Sequence, residues 1–161
     1  MENVAKISLI IDSKLELVSL LRSSLRAAIA ECGVSEQDQI DIELAFGEAI
    51  NNCIIHGLDE ESGHDIFCEL SVYPDELIIE IIDDGKTIPE DHRKKFDFSI
   101  DEIQDLLQGD VLSDLNTEIP TAGIGILLMK QCFTRFEYSV TGKKNKLKMI
   151  KELTKNTEER T

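Results

Sequence analysis

Glu48, Asn52 and His56 stand at steps of four residues inside an otherwise apolar run, GEAINNCIIHG, at positions 47–57. Steps of four advance only about 40° around a helix, so the three side chains are expected to share one stripe. A carboxylate and an amide carbonyl one turn apart present two hard oxygen donors in the same direction, as Mg²⁺ prefers. The alternative is that this stripe is the solvated edge of a surface helix.

A second candidate lies where the apolar segment IIEII ends in Asp83, Asp84 and Gly85. A carboxylate at the edge of a core is partly removed from water and accepts a hydrogen bond from an amino group. It therefore selects a nucleobase that carries an amino group. The alternative is an ordinary turn that ends a strand, which the same three residue types also favour.

The third candidate is TAGIGILLMKQ, residues 121–131, in which Gly123 and Gly125 are expected to precede an apolar helix immediately. Glycines let a backbone approach a phosphate closely, and the first amides of a helix favour an anion. The alternative is a helix start that needs a flexible backbone. A dinucleotide-binding pattern is excluded, because the third glycine and a surrounding βαβ unit are missing.

The residues around these candidates predict the elements that position them. A strand is expected at 4–11 and a helix from Lys14 to about Cys32, with Gly33 ending it. Ser35 is expected to cap a second helix, which ends at Gly57. Further strands are predicted at 66–73, 76–83, 136–140 and 146–150.

A long connection separates the second and third candidates. From Asp97 to Glu118 it carries seven acidic residues and no Lys or Arg. A connection of this length in a compact domain is usually a functional lid or disordered, and we expect a lid over about 86–122. Apolar residues at helical spacing predict a helix within it near 99–108.

The element order predicts an α+β fold, in which helices cover one face of a mixed, mostly antiparallel sheet in a two-layer sandwich. With 161 residues, 42% of them apolar, the chain is expected to form one domain over 1–153. A polar, flexible tail is expected at 154–161.

The bulk composition excludes several kinds of partner. The formal net charge of -15 repels nucleic acid and anionic membrane surfaces. No window approaches the roughly 18 apolar residues that a membrane span needs, so a cytoplasmic location is expected. The four cysteines include no C-x-x-C pair and are expected to be small buried hydrophobes in a reducing compartment.

Taken in order, E-x-x-x-N on a helix, D-x-G after a strand, a long lid and G-x-G opening a helix resemble one family. They resemble the Bergerat ATPase fold shared by gyrase, the ninety-kilodalton heat-shock chaperone, sensor histidine kinases and the mismatch-repair ATPases. Within that group, the small size and the segment EAINNCIIHG are similar to the anti-sigma-factor serine/threonine protein kinases. The motifs span residues 43–132, and the predicted flanking strands agree in order and spacing, so the resemblance covers most of the chain.

The resemblance implies an ATP- and Mg²⁺-dependent protein kinase. Such a kinase would phosphorylate a small anti-sigma-factor antagonist and, in another state, hold a sigma factor inactive; a homodimer is also implied. Glu48 corresponds to the residue that activates the attacking hydroxyl, and Asn52 corresponds to the Mg²⁺ ligand. His56 belongs to the pattern of the site without an assigned chemical task.

The resemblance also implies an ATP-binding set beyond the first helix. Asp83 corresponds to the acceptor of the adenine amino group, and Gly85 allows the base to enter beside it. Gly123, Ile124 and Gly125 correspond to the lid hinge, whose backbone meets the phosphates.

Further contacts are expected from arginines and lysines. Arg93, Lys94 and Lys95 are candidate phosphate contacts, and Arg22 and Arg26 share one side of the first helix as candidate partner contacts. A basic triplet in a loop and solvated arginines on a helix are the alternatives.

The chain departs from the family pattern at two places. Thr87 stands where a D-x-G-x-G pattern would have its second glycine. The last strand, GKKNKLKMI, lacks the Gly-Thr pair often found there, so the usual hydroxyl contact to the base is not carried over.

Two other functions remain open. A non-catalytic ATP-binding module could switch a protein partner through its lid. Glu48 argues against this alternative, because a module that only binds ATP needs no residue to accept a proton. A histidine-kinase ATPase fragment is the other, and nothing in the chain resembles a phosphoacceptor histidine helix.

Overall fold

The computed structural model describes residues 4–102, 104–105 and 121–153, with the backbone alone for 121–124. Predictions for the lid interior at 106–120 and for the tail at 154–161 lie outside these residues. The strands are β1 (Ala5–Asp12), β2 (Asp65–Val72), β3 (Glu76–Asp83), β4 (Arg135–Thr141) and β5 (Lys144–Glu152). The helices are α1 (Val18–Glu31), α2 (Glu36–Asn52), α3 (Glu90–Lys94) and α4 (Thr121–Cys132).

The five strands form one sheet in the order β1-β2-β3-β5-β4. All four pairings are antiparallel, so the sheet expected to be mixed contains no parallel pair among the described strands. Helices α1 and α2 follow β1 and bring the chain back to the end of the sheet at which β1 finishes. Strand β2 therefore starts at that end and runs antiparallel to β1. Helix α4 leads directly into β4, but β5 takes the place beside β3 and β4 forms the edge of the sheet. The predicted α+β fold is confirmed.

Local signals at the first two helices act as the sequence indicates. Ser35 Oγ accepts a hydrogen bond from the backbone N–H of Asp38 at 3.2 Å, which caps α2. Gly33 has a φ of +77°, the left-handed conformation that ends a helix at little cost for glycine. The helix predicted to run to Gly57 is α-helical only to Asn52 and then continues as one π turn.

Helix α4 begins earlier than its sequence indicates. It starts at Thr121, so Gly123 and Gly125 lie inside the helix and not before it. A glycine in a helix interior costs about 1 kcal/mol relative to alanine. This cost is offset where another element approaches the helix too closely for a side chain, which is the case at Gly125. In the predicted helix near 99–108, residues 100–102 and 104–105 are helical.

The core lies between one face of the sheet and helices α1, α2 and α4. Alternate residues of the central strands face this core, as the burial of Leu77, Ile79 and Ile81 shows. Burial raises the pKa of Cys68 and of Cys132 to about 12, so both thiols stay neutral and pack as small hydrophobes. Other fully buried side chains are Phe46, Ile42, Ile50, Ile54, Ile66 and Met149.

None of the described helices combines the length and the hydropathy that crossing a bilayer requires.

Candidate functional site

The first and third motifs meet where α4 packs against α2. A Cβ placed on Gly125 would lie 2.9 Å from Glu48 Oε2 and 3.6 Å from Asn52 Nδ2. The side chains of Glu48 and Asn52 are half-buried and therefore lie against the backbone of α4. A Cβ at position 125 would displace the Glu48 carboxylate, whereas Asn52 lies at an ordinary contact distance. Gly123 and Ile124 belong to the backbone of the same helix, two residues and one residue before Gly125.

A cavity of about 300 Å³ extends from this contact toward the end of β3. Its volume is at the lower end of the range found for small-molecule sites. Asn52 and His56 line it from the α2 side and Asp83 from the β3 side, whereas Glu48, Gly85 and Gly125 lie outside its lining. The apolar lining comes from Ala49, Ile81, Ile88, Pro89, Phe96, Ile126, Met129 and Leu147.

The π turn at Cys53–Gly57 joins the first motif to the second. Its extra residue is visible in the bond from the Leu58 N–H to the Cys53 carbonyl, five residues back, at 3.0 Å. The Gly57 carbonyl instead accepts from the N–H of Lys86 at 2.8 Å. The turn thus fixes the segment that follows Asp83 against the end of α2.

Gly85 is required by this contact between two backbones. A Cβ at Gly85 would lie 2.6 Å from the carbonyl oxygen of Gly57. The structure therefore gives Gly85 a role in packing, besides the role beside the base that the family resemblance implies.

We expect Gly85→Ala to lower the free energy of unfolding by about 1–3 kcal/mol, because backbone atoms must move to relieve the overlap. Gly57→Ala is the matched control, since a Cβ there would first meet Asp83 Oδ1 at an ordinary 3.9 Å. Urea unfolding of both variants gives the comparison. Equal stabilities for the two would contradict the close approach of Gly85 to Gly57.

The carboxylate of Asp83 is held through one of its two oxygens. Oδ1 accepts hydrogen bonds from the Gly85 N–H at 2.8 Å and from Asn145 Nδ2 at 3.1 Å. Among the described residues, no nitrogen donor contacts Oδ2, and the Cys53 thiol is a neighbouring weak donor to this carboxylate. Asp83 lines the cavity, so this second oxygen is available to a donor on a ligand. Burial next to Asp83 also raises the pKa of the Cys53 thiol, which stays neutral.

Three polar residues that the sequence did not mark as site residues surround Asp83. Asn145 is only 3% exposed and faces Asp83 across the β3–β5 pairing. Its Oδ1 accepts from the Tyr138 hydroxyl at 3.0 Å and from Thr87 Oγ1 at 3.3 Å. Asn145 is the one amide in a strand that otherwise alternates lysines with apolar residues, and this was the available signal.

Asp84 is not among the residues that line the cavity, and it pairs with His64. Asp84 Oδ1 and His64 Nδ1 lie 2.9 Å apart at the surface. The hydrogen bond between them raises the pKa of His64 and lowers the pKa of Asp84. The pair ties the loop before β2 to the residue that follows Asp83.

This pair predicts a pH-dependent contribution to stability. The pKa of His64 is higher in the folded protein than its unfolded value of 6.5. The protonated imidazole therefore stabilises the fold fully below pH 6.5, and this stabilisation is lost as the pH rises through the folded pKa. The lowered Asp84 pKa contributes above its unfolded value of 3.8 and is lost as pH falls through the folded pKa. We expect His64→Gln to lower the melting temperature more at about pH 5 than at about pH 8.5.

Thermal melts at the two pH values test this prediction. His56→Gln serves as the control, because His56 is exposed and makes no hydrogen bond or ion pair within the described residues. A loss for His64→Gln that is the same at both pH values would contradict the charged pair.

The candidate phosphate contacts occupy different surroundings. The Arg93 guanidinium lies over the ring of Tyr138, 5.5 Å from its centroid, at the wall of the cavity. Lys94 pairs with Glu90 at 3.2 Å on the exposed side of α3. Lys95 forms no ion pair within the part of the chain that the structure describes. Of the three side chains, that of Arg93 has a described contact with a cavity-lining side chain, the ring of Tyr138.

The two candidate partner contacts form an arginine cluster with Glu43, comprising Arg22, Arg26 and Glu43. Arg22 and Arg26 donate to the two carboxylate oxygens of Glu43 at 3.3 and 3.1 Å. Arg22 also crosses the backbone of α2, where a Cβ at Gly47 would lie 2.8 Å from its Cδ. The cluster is part of the packing between α1 and α2 and is also accessible from outside.

The oxygen atoms of Glu48 and Asn52 are too few to hold Mg²⁺ alone, so further oxygens from a bound ligand are required. Within residues 4–102, 104–105 and 121–153, no group of three or more His, Cys, Asp or Glu side chains could hold a metal ion. Glu48 and Asn52 supply hard oxygens, and Mg²⁺ is commonly held by one or two such groups together with substrate phosphates and water. The residues present therefore suit a metal that arrives with a nucleotide.

Comparisons with known proteins identify the family of the domain. Residues 11–151 match the family model described as the histidine kinase-like ATPase domain. The serine-protein kinase RsbW of Listeria innocua is 33% identical over 90 residues, and this stretch covers 56% of the present chain and 57% of the relative. The anti-sigma F factor of Thermoanaerobacter sp. is 29% identical over 140 residues, 86% of this chain and 87% of the relative.

A solved structure shares the fold at much lower identity. The SiaB–SiaC complex from Pseudomonas aeruginosa contains a chain with a TM-score of 0.62 and 10% identity, and the match covers 88% of both chains. At this identity the likeness concerns the fold alone. The match to RsbW spans little more than half the length of that relative.

Proposed function

The chain belongs to the family of histidine kinase-like ATPase domains, and on this premise we propose that it is an ATP-dependent serine/threonine protein kinase of the anti-sigma type. The observation that carries the proposal is the meeting of three motifs around one cavity. Glu48 and Asn52 lie against the backbone of Gly125, and Asp83 lines the cavity near its other end. Two similar proteins are named serine-protein kinase and anti-sigma factor.

The residues divide the reaction between them. Asp83 accepts a hydrogen bond from the adenine amino group, and the apolar lining of the cavity excludes water around the base. The serine oxygen of the partner attacks the γ-phosphorus of ATP, the bond to the ADP oxygen breaks, and Glu48 accepts the serine proton. Mg²⁺, when bound through Asn52 and the phosphates, neutralises phosphate charge. The backbone at Gly123, Ile124 and Gly125 is the proposed approach to the phosphates, and the N–H groups of the first turn of α4, up to Gly123, are the ones without a partner inside the helix.

The partner in this proposal is a small anti-sigma-factor antagonist that carries the accepting serine or threonine, and a sigma factor is bound in another state. The arginine cluster is the proposed contact for these proteins. Its Arg26 side chain is 43% exposed, so it can contact an acidic side chain of a partner. We also propose that the kinase forms a homodimer and that one domain spans residues 1–153.

The test is transfer of labelled phosphate. Purified protein is incubated with γ-labelled ATP and a panel of small antagonist-like domains, with and without Mg²⁺. The proposal expects label on a serine or threonine of one domain, and dependence on the metal. ATP binding without transfer to any antagonist would contradict the kinase assignment.

A further inference from the structure

Asn145 is buried at the junction of three walls of the nucleotide cavity. Its side chain contacts Asp83 at the end of β3, the segment after Gly85, and Tyr138 on β4. The amide is 3% exposed and lies outside the lining, so it acts on a ligand only through these neighbours. A buried amide whose donors and acceptor are all hydrogen-bonded is costly to replace, because its removal leaves each former partner without a hydrogen bond.

The surroundings permit only one orientation of this amide. Nδ2 faces the carboxylate of Asp83 at 3.1 Å and the carbonyl of Gly85 at 2.8 Å, and both of these groups only accept. At the other end, the Tyr138 hydroxyl accepts from the Ile88 N–H at 3.0 Å and so directs its own proton to Asn145 Oδ1. A residue with a donor at one end and an acceptor at the other is required.

This arrangement decides which oxygen of Asp83 meets the base. Oδ1 is occupied by the donors of Gly85 and Asn145. Asp83 lines the cavity, so Oδ2 is the oxygen that remains for a donor on the base. A carboxylate oxygen accepts from the amino group of adenine, whereas it faces an acceptor, the carbonyl oxygen, in hypoxanthine or guanine. Discrimination between the bases therefore depends on how firmly Asp83 is held.

We propose that Asn145 is a positioning residue that fixes Asp83 and the segment from Gly85 to Ile88, and thereby sets the preference for adenine over 6-oxopurine nucleotides. The proposal rests on the proposed function only in taking ATP as the ligand. Thr87 and Tyr138 complete the network, since both donate to the same amide oxygen.

The test measures affinities for ATP and for ITP, in which a carbonyl replaces the amino group. The wild-type protein is expected to prefer ATP, and Asn145→Ala to reduce the ratio of the two affinities by about tenfold, because Asp83 loses its second donor. Tyr138→Phe keeps the ring but removes the bond to Asn145, and a smaller reduction of about threefold is expected. Ser139→Ala removes a hydroxyl from the neighbouring exposed position and is expected to leave the ratio unchanged.

The outcomes separate this inference from the proposed function. Equal losses of ATP and ITP affinity, with the ratio unchanged in Asn145→Ala, would make Asn145 merely structural and overturn the inference while ATP binding stands. Absence of ATP binding by the wild-type protein would overturn both. If Asn145→Ala does not fold, the Tyr138→Phe and Ser139→Ala pair decides, and equal ratios for those two variants reject the inference.

Discussion

Glu48→Gln should reduce phosphoryl transfer by about 10²–10⁴-fold while ATP affinity changes by less than about twofold. The amide keeps the size of the carboxylate and its contact with the backbone at Gly125 but does not accept the serine proton. Glu48 lies outside the cavity lining, so its loss leaves the adenine contacts intact. Single-turnover transfer of labelled phosphate, together with equilibrium ATP binding, measures the two quantities separately.

Glu36→Gln is the matched control, because Glu36 is an exposed glutamate in the first turn of the same helix. It is expected to transfer phosphate at the wild-type rate. If Glu48→Gln left partner control unchanged, the protein would be a module that binds ATP without chemistry, the alternative that the sequence leaves open. The experiment therefore decides between a kinase and a nucleotide-dependent switch.

Asp83→Asn should weaken ATP binding by about 10–100-fold, since a charge-assisted hydrogen bond to the base is replaced by an amide. The amide oxygen can still accept from Gly85 and Asn145, and this leaves the amino group of the new side chain facing the amino group of adenine. Two donors then oppose each other in the cavity. Calorimetric titration with ATP measures the loss.

The adjacent substitution Asp84→Asn controls for the change in charge. Asp84 pairs with His64 at the surface and does not line the cavity, so ATP affinity should stay close to the wild-type value. Similar losses from the two substitutions would mean that net charge, and not a hydrogen bond to the base, governs binding.

Signals that act within a few residues were read correctly from the sequence. Ser35 caps α2 through an N–H three residues on, and Gly33 ends α1 through its own backbone conformation. The strands predicted at 136–140 and 146–150 are joined by a turn at Gly142, whose φ is +61°. The α+β fold followed from the order of such elements.

Features that depend on contacts between distant segments were not predictable in the same way. The π turn and the early start of α4 both place glycines against backbone or side chains from other elements, and periodicity carries no record of such approaches. A single amide among the lysines and apolar residues of β5 marks Asn145 as unusual, but it does not indicate which residue Asn145 contacts. Its partner Asp83 lies 62 residues earlier in the chain.

The separation of 62 residues between Asp83 and Asn145 affects how the chain folds and how much the length of the intervening segment can vary. The pairing of Asp83 with Asn145 closes the long segment that contains the region assigned to the lid. Loop-closure entropy grows only as the logarithm of length, so doubling such a segment costs about 0.6 kcal/mol. The segment between β3 and α4 can therefore lengthen or shorten with little change in the free energy of the Asp83–Asn145 pairing. The same long-range pairing raises the contact order, and we expect this part of the sheet to form late in folding, after the local β2–β3 hairpin.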